Sequence, residues 1–210
     1  MSSITNGIPA YIIARDQFTW LKSTVDWISN LSYISEIIIL DNNSSYEPLL
    51  DWYGSTNHTV MRFKENFGER VLWQKNLVPK THFVLTDPDL MPCDNPTDMI
   101  ETFHEVLHKY SLSKVGSALQ LDDVEREDVV KWESQFWSNK LEADVYKANL
   151  DTTFALYMPN AEYSIHNAAR VAGQYTLKHL PWYEDKPHDY YYYRDNIDKN
   201  FTHWTVKDIS

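Results

Sequence analysis

Four short apolar runs, rich in β-branched residues and separated by stretches of helical spacing, constrain this chain more than any other feature. The first, Ile8–Ala14, stops at the polar pair Arg15-Asp16. The second, 36–41, ends in Asp41-Asn42-Asn43-Ser44-Ser45, which is turn and helix-start chemistry. Strands are expected again at 59–63 and 82–86. Between the first two, Trp20, Leu21, Thr24, Trp27, Ile28 and Leu31 recur at helical spacing, and shorter helices are expected at Glu47–Tyr53 and 69–77. The rhythm is β-α-β-α-β-α-β. Helices in every crossover argue for an α/β fold with a mostly parallel central sheet covered on both faces. In such sheets ligands bind beyond the carboxyl ends of the strands, where successive loops converge. Arg15, Asp41 and the acids after the fourth strand all stand at such ends.

Those acids belong to Thr86-Asp87-Pro88-Asp89. In extended chain, residues two apart point to the same side, roughly 6 to 7 Å apart. Pro88 fixes its own φ and biases Asp87 toward extended backbone, so Asp87 and Asp89 can face one ligand. A hard divalent cation, with phosphate oxygens in its other positions, suits the pair. The pattern alone proves nothing, because 30 acids in 210 residues produce about four acid-x-acid triplets by chance. Its position at a strand end carries the inference.

Charge and composition narrow the partners. A formal net charge of -11 disfavours nucleic acid and anionic membrane surfaces, which want a basic face. An anionic substrate would then need a bound cation or a local Arg/Lys cluster to offset the protein's own field. The single cysteine, Cys93, excludes an internal disulfide framework and fits a reducing cytoplasm. No apolar run is long enough to span a bilayer. No Gly/Ser-rich or Pro-rich linker divides the chain, so one domain over 1–210 is expected. Eight Trp and 14 Tyr against 5 Gly supply flat rings with polar tips of the kind that stack on sugars, although most rings in any protein are core or rim.

Ile8 to Asp16, Ile37 to Ser44, Asn66-Phe67-Gly68 with Asn76, and Thr86-Asp87-Pro88-Asp89 resemble, in order and spacing, family-2-like GT-A glycosyltransferases. The resemblance implies that Arg15 and Asp41 hold a nucleobase, that Asn66, Gly68 and the following helix lie beside the nucleotide, and that Asp87 and Asp89 engage ribose and metal. It implies a UDP-sugar donor, a glycan or glycoprotein acceptor, Mn2+ or Mg2+ as cofactor, and a single GT-A domain with 1–92 as the nucleotide-binding half and 93–210 as the sugar and acceptor half. Arg15, Arg70 and Lys75 are basic residues able to assist the departing diphosphate. The second half, including Leu121-Asp122-Asp123 and His179-Leu180-Pro181-Trp182-Tyr183, is similar to a small subgroup found in bacteria and large DNA viruses, glycan-building chlorovirus proteins among them. A viral member would act in the host cytoplasm. The Gln-x-x-Arg-Trp signature with which family-2 synthases usually end is absent.

The rest of the second half offers a helix at 96–110, a strand at 114–121 and several candidate side chains. Asp122 and Asp123 follow a strand as Asp87 and Asp89 do; they either reach the sugar and act as general base or cap the next helix. Asp151, before the apolar run 154–157, is a third candidate base, or part of a turn. His179 corresponds by resemblance to a late histidine that completes the metal's ligands; by spacing alone it reads as a core histidine. His104 and His108 stand one helical turn apart, but no third ligand is near in sequence, so a surface helix is expected there rather than zinc. The tyrosine-rich segment 189–194 reads equally as a flap, a strand or a final helix. The polar tail 200–210 permits a linker to a further domain. A nucleotidyltransferase would show a Gly-rich loop where Ala14-Arg15-Asp16 stands, and a phosphatase would carry its acid pair after the first strand. A glycan-binding module without turnover is the non-enzymatic alternative.

Overall fold

A computed structural model describes residue 4 and residues 7–197. The expected parallel unit is present. β1 (Ile8–Ala14), β2 (Ile34–Asp41), β3 (Thr59–Arg62) and β4 (Phe83–Thr86) run parallel in the order β3-β2-β1-β4. Their crossovers hold α1 (Phe18–Ile28), α2 (Glu47–Tyr53) and the short α3 (Val71–Gln74). Alternation along β1 sorts its side chains between two faces. Ala10, Ile12 and Ala14 join a core with Leu21, Val25 and Ile28 of α1, while Tyr11 and Ile13 join Val71 and Leu72 on the other side. Each fully buried Leu or Ile here contributes roughly 1.5–3 kcal/mol relative to an exposed one.

Beyond β4 the sequence reading needs correction. After β5 (Leu90–Pro92) and α4 (Met99–Lys109), the strand expected at 114–121 is only β6 (Lys114–Ser117). Its continuation leaves the main sheet, with Gln120 N–H donating to Leu177 O and Leu119 bridging Leu177. Then come α5 (Glu127–Glu133), β7 (Lys140–Glu142), β8 (Val145–Lys147), β9 (Ala155–Tyr157) and β10 (Ala168–Val171). The sheet is therefore mixed, with nine strands in the order β3-β2-β1-β4-β9-β6-β10-β8-β7. β9 slots antiparallel between β4 and β6, pairing Ala155 with both Leu85 and Gly116. Gly116 permits this closeness, since a Cβ there would lie 2.5 Å from Phe154 O.

Two further elements close the top of the sheet. β11 (Leu177–His179) pairs antiparallel with β5 in a separate two-stranded sheet. The tyrosine-rich segment is a helix, α6 (His188–Asn196), with Tyr190 and Tyr193 buried and Tyr190 packed on Trp20 at 5.3 Å. Its Asp189 accepts from Thr19 N–H (2.8 Å) and Thr19 Oγ1 (2.6 Å), capping α1 from a distant part of the chain. No helix among the described residues is long and apolar enough to cross a membrane. The tail read as a linker, 200–210, lies outside the described residues.

Candidate active site

Three loops leaving the carboxyl ends of β1, β2 and β3 are tied to one another before any ligand is considered. Asn42 is the knot. Its Nδ2 donates to Gly68 O (3.1 Å), its Oδ1 accepts from Phe67 N–H (3.2 Å), and its carbonyl accepts from Arg15 Nη1 (3.4 Å). Gly68 takes a positive φ of 57°, a conformation that costs other residues roughly 1–2 kcal/mol, and its N–H donates to Asn66 Oδ1 at 2.9 Å. Asp16, which sequence reasoning passed over, clamps the same corner: its Oδ1 accepts from the backbone N–H groups of Ser45 (2.6 Å) and Tyr46 (2.9 Å).

Beside these loops opens a cleft of about 660 Å³, within the range of small-molecule sites. Of the residues singled out in the sequence, Arg15, Asn66, Gly68, Arg70, Asp87, Asp89, Asp151 and His179 line it. Asp41 does not: its carboxylate is buried behind the wall, accepting from Arg62 Nε (3.2 Å), Tyr53 Oη (3.2 Å) and Ser44 N–H (3.3 Å). Asp41 thus clasps the β2 loop. Asp122 and Asp123 are also outside the lining. The chain after β6 turns aside to meet β11. There Asp123 pairs with Lys178 and accepts from Tyr183 Oη at 2.8 Å.

The Asp-Pro-Asp turn is held from several directions. Thr24 Oγ1 of α1 donates to Pro88 O at 2.7 Å. Asp87 Oδ2 accepts from Thr152 Oγ1 at 2.8 Å, a contact made possible by β9 running antiparallel beside β4. The β5–β11 pairing sets His179 opposite Leu90, which brings its Nε2 to 3.8 Å from Asp89 Oδ1. That oxygen is buried and has no hydrogen-bond partner among the described residues, while Oδ2 accepts from Gln17 Nε2 at 3.4 Å.

The electrostatics of the floor favour a cation. Burial and the charges of Asp89 and Asp151 push the Asp87 carboxyl well above the usual range, with Thr152 pulling the other way. Burial holds the His179 imidazole below its ordinary value, against the pull of both acids, so it is neutral with a lone pair to give. Asp151 is exposed to the cleft yet surrounded by protein. Burial works against its charge, but the Arg170 guanidinium and two hydrogen bonds from Thr153 hold it below the ordinary carboxylate range. Five carboxylates line the cleft (Glu69, Asp87, Asp89, Glu133, Asp151) against three guanidiniums (Arg15, Arg70, Arg170).

A divalent cation fits Asp89 and His179. An unsatisfied carboxylate oxygen facing a neutral imidazole 3.8 Å away, too far for a hydrogen bond, suits shared ligation at about 2.1 Å each. Asp87 stands next to this pair, not within one cluster of three ligands. Sequence reasoning also missed the wall opposite. Arg170 of β10 and Glu133 of α5 form a buried ion pair, with the guanidinium 4.1 Å from the Phe136 ring centroid and Nε donating to Asn149 O (2.9 Å). Phe136 and the half-exposed Trp132 (53%) add aromatic surface there, as do Tyr163, Trp182 and Tyr193 elsewhere in the lining. No single short motif announces such a wall.

No protein-family model matches the chain, and neither does any curated protein. Solved structures do. One is the mannosyltransferase PcManGT from Pyrobaculum calidifontis in complex with GDP-Man and Mn2+, with a TM-score of 0.57 and 11% identity over 89% of this chain and 59% of that one. Another is a mycobacterial protein, with a TM-score of 0.53 and 15% identity over 88% of this chain and 69% of that one. The chain thus spans about three fifths of the length of the first. At such identities the likeness establishes the fold, the α/β arrangement of GT-A glycosyltransferases. A viral origin has no support in these matches.

Proposed function

We propose that this protein is a metal-dependent glycosyltransferase that moves a sugar from a nucleotide diphosphate donor, expected to be UDP-linked, to a hydroxyl of a glycan or glycoprotein acceptor. The observation that carries this reading is Asp89 Oδ1, buried and unpaired at the floor of the cleft with His179 Nε2 3.8 Å away. Its position after a central parallel strand, in a fold shared with a mannosyltransferase that holds GDP-Man and Mn2+, supports a nucleotide sugar as the ligand.

Asp89 and His179 would hold the cation, Mn2+ or Mg2+, with Asp87 beside them. Bound there, it would neutralise the negative charge that grows on the departing diphosphate. The remaining work falls to the chain. Arg15, Asn66 and Gly68 border the nucleotide end, where their loops are already ordered through Asn42, so little ordering cost attends binding. Arg70, stacked 4.5 Å from the Tyr163 ring centroid, is positioned to meet phosphate. Asp151 is the carboxylate we assign to deprotonating the acceptor hydroxyl in an inverting reaction, since it alone among Asp122, Asp123 and Asp151 lines the cleft.

The test is a thermal-shift and calorimetric comparison of UDP and GDP, with and without Mn2+, on the parent chain and on Asp89→Ala, followed by assay of donor hydrolysis and transfer. Metal-dependent binding of one nucleotide, lost in Asp89→Ala while circular dichroism and Tm stay near those of the parent, is the expected result. Undiminished metal-dependent binding by the variant would sink the assignment. Tight donor binding with no hydrolysis or transfer would identify a binding module instead.

A further inference from the structure

At the opposite end of β4 from Asp87 lies a group of side chains that the cleft does not use. His82 immediately precedes the strand, and His104 and His108 stand one turn apart on α4, with their rings against that of His82. The distance between the two ends, five residues of extended chain, is roughly 17 Å. Among the described residues, these histidines are the one group of three metal-type ligands whose donor atoms all lie within 4.8 Å of one another. The third imidazole, which the spacing of His104 and His108 does not supply, comes from His82, just ahead of β4.

His104 Nε2 and His108 Nε2 are within hydrogen-bond distance at 3.0 Å, one donating to the other according to tautomer, and the three ring centroids are separated by 4.3, 5.1 and 5.6 Å. His82 Nε2 is buried with no hydrogen-bond partner among the described residues. A buried ring nitrogen without a partner costs free energy that a ligand there would recover. His104 is buried while His108 is exposed, which gives an ion a way in and a fourth position open to water.

We propose that His82, His104 and His108 form a zinc site that staples α4 to the start of β4. Three neutral imidazoles match the nitrogen preference of Zn2+, and two ligands of a tetrahedral ion bound at about 2.05 Å would sit about 3.3 Å apart, close to the spacing of the helix pair. Mg2+ and Mn2+, which favour oxygen, suit the carboxylate floor of the cleft better than this site. Each ligating imidazole takes the tautomer with its proton on the other nitrogen, so no net proton change is needed.

The experiment uses the tag-free full chain carrying Asp89→Ala and His179→Ala, which removes the cleft's own ligands. Zinc titration against a chromophoric chelator is expected to find one site, and zinc is expected to raise Tm. Cobalt in its place should show the intense visible bands of four-coordinate Co2+. Adding His108→Ala, which alters an exposed position and leaves the core intact, should weaken zinc binding at least tenfold, and His82→Gln should do the same. Zinc affinity unchanged by either substitution, or absent from the double cleft variant while present in the parent, would overturn the proposal.

Discussion

Asp151 shows how much one residue's environment decides. Nothing about Asp151-Thr152-Thr153 distinguishes it from a turn in the sequence, and two other acids looked better placed. In the fold it lies on the cleft surface, its charge favoured by Arg170 and by Thr153, while the neighbouring Thr152 donates to Asp87. Asp151→Asn keeps the shape and removes the proposed base. Steady-state kinetics should then show kcat reduced by about 10²–10⁴-fold, with the donor KM close to that of the parent. A loss carried wholly by donor affinity would make Asp151 a binding residue. Asp41 teaches the reverse lesson. A strand-end acid that reads equally as nucleobase ligand or cap turns out enclosed by Arg62, Tyr53 and Ser44, which only the folded neighbours could reveal.

At the scale of elements, the cleft depends on short pieces that carry no periodic signal. β5 and β11 are three residues each, yet their register puts His179 beside Asp89. α1 supports the same turn from beneath through Thr24, whose hydroxyl reaches Pro88 O (2.7 Å) and Leu90 O (3.3 Å). Thr24→Val preserves the shape of this fully buried side chain but leaves the Pro88 carbonyl without that donor. The expected cost is about 1–3 kcal/mol, read as a Tm drop of roughly 2–12 °C. Because the turn carries Asp89, metal-dependent nucleotide binding should weaken as well. A variant with lowered Tm and unchanged metal dependence would show that the turn holds its geometry without Thr24.

For the whole molecule, burial of charge within the sheet sets a dependence on pH. Lys114, at the start of β6, is buried, with Nζ donating to Asp151 O (3.1 Å) and Tyr157 Oη (3.2 Å). Burial lowers its titration from 10.5 to about 8, with Asp151 pulling upward and Arg170 downward. Between those values the unfolded chain binds more protons than the folded one, so stability rises with pH in that window. Below about 8 the destabilisation from the buried cation is complete. Lys114→Met leaves Tyr157 Oη donating to Asp151 O (3.2 Å) and removes the charge. Urea denaturation at pH 7 and pH 9.5 should find the variant's advantage over the parent largest at pH 7 and smaller at pH 9.5. An advantage independent of pH would show that Lys114 stays charged throughout.

What the residues determined by themselves was the scaffold of the first half and the end of it that matters. Short β-branched runs, helical spacing between them and polar residues at each strand end are local properties, so the β1-β2-β3-β4 unit and the placing of Arg15, Asp87 and Asp89 at its carboxyl edge were legible before any coordinates. The partners of those residues were not. β9 enters against the direction of its neighbours and delivers Thr152 to Asp87, the chain after β6 turns away and takes Asp122 and Asp123 out of the cleft lining, and His82 meets His104 and His108 of α4. Each of these depends on register and strand direction between segments distant in the chain, where free energy is set by close packing and hydrogen bonding of the assembled sheet and not by any local preference.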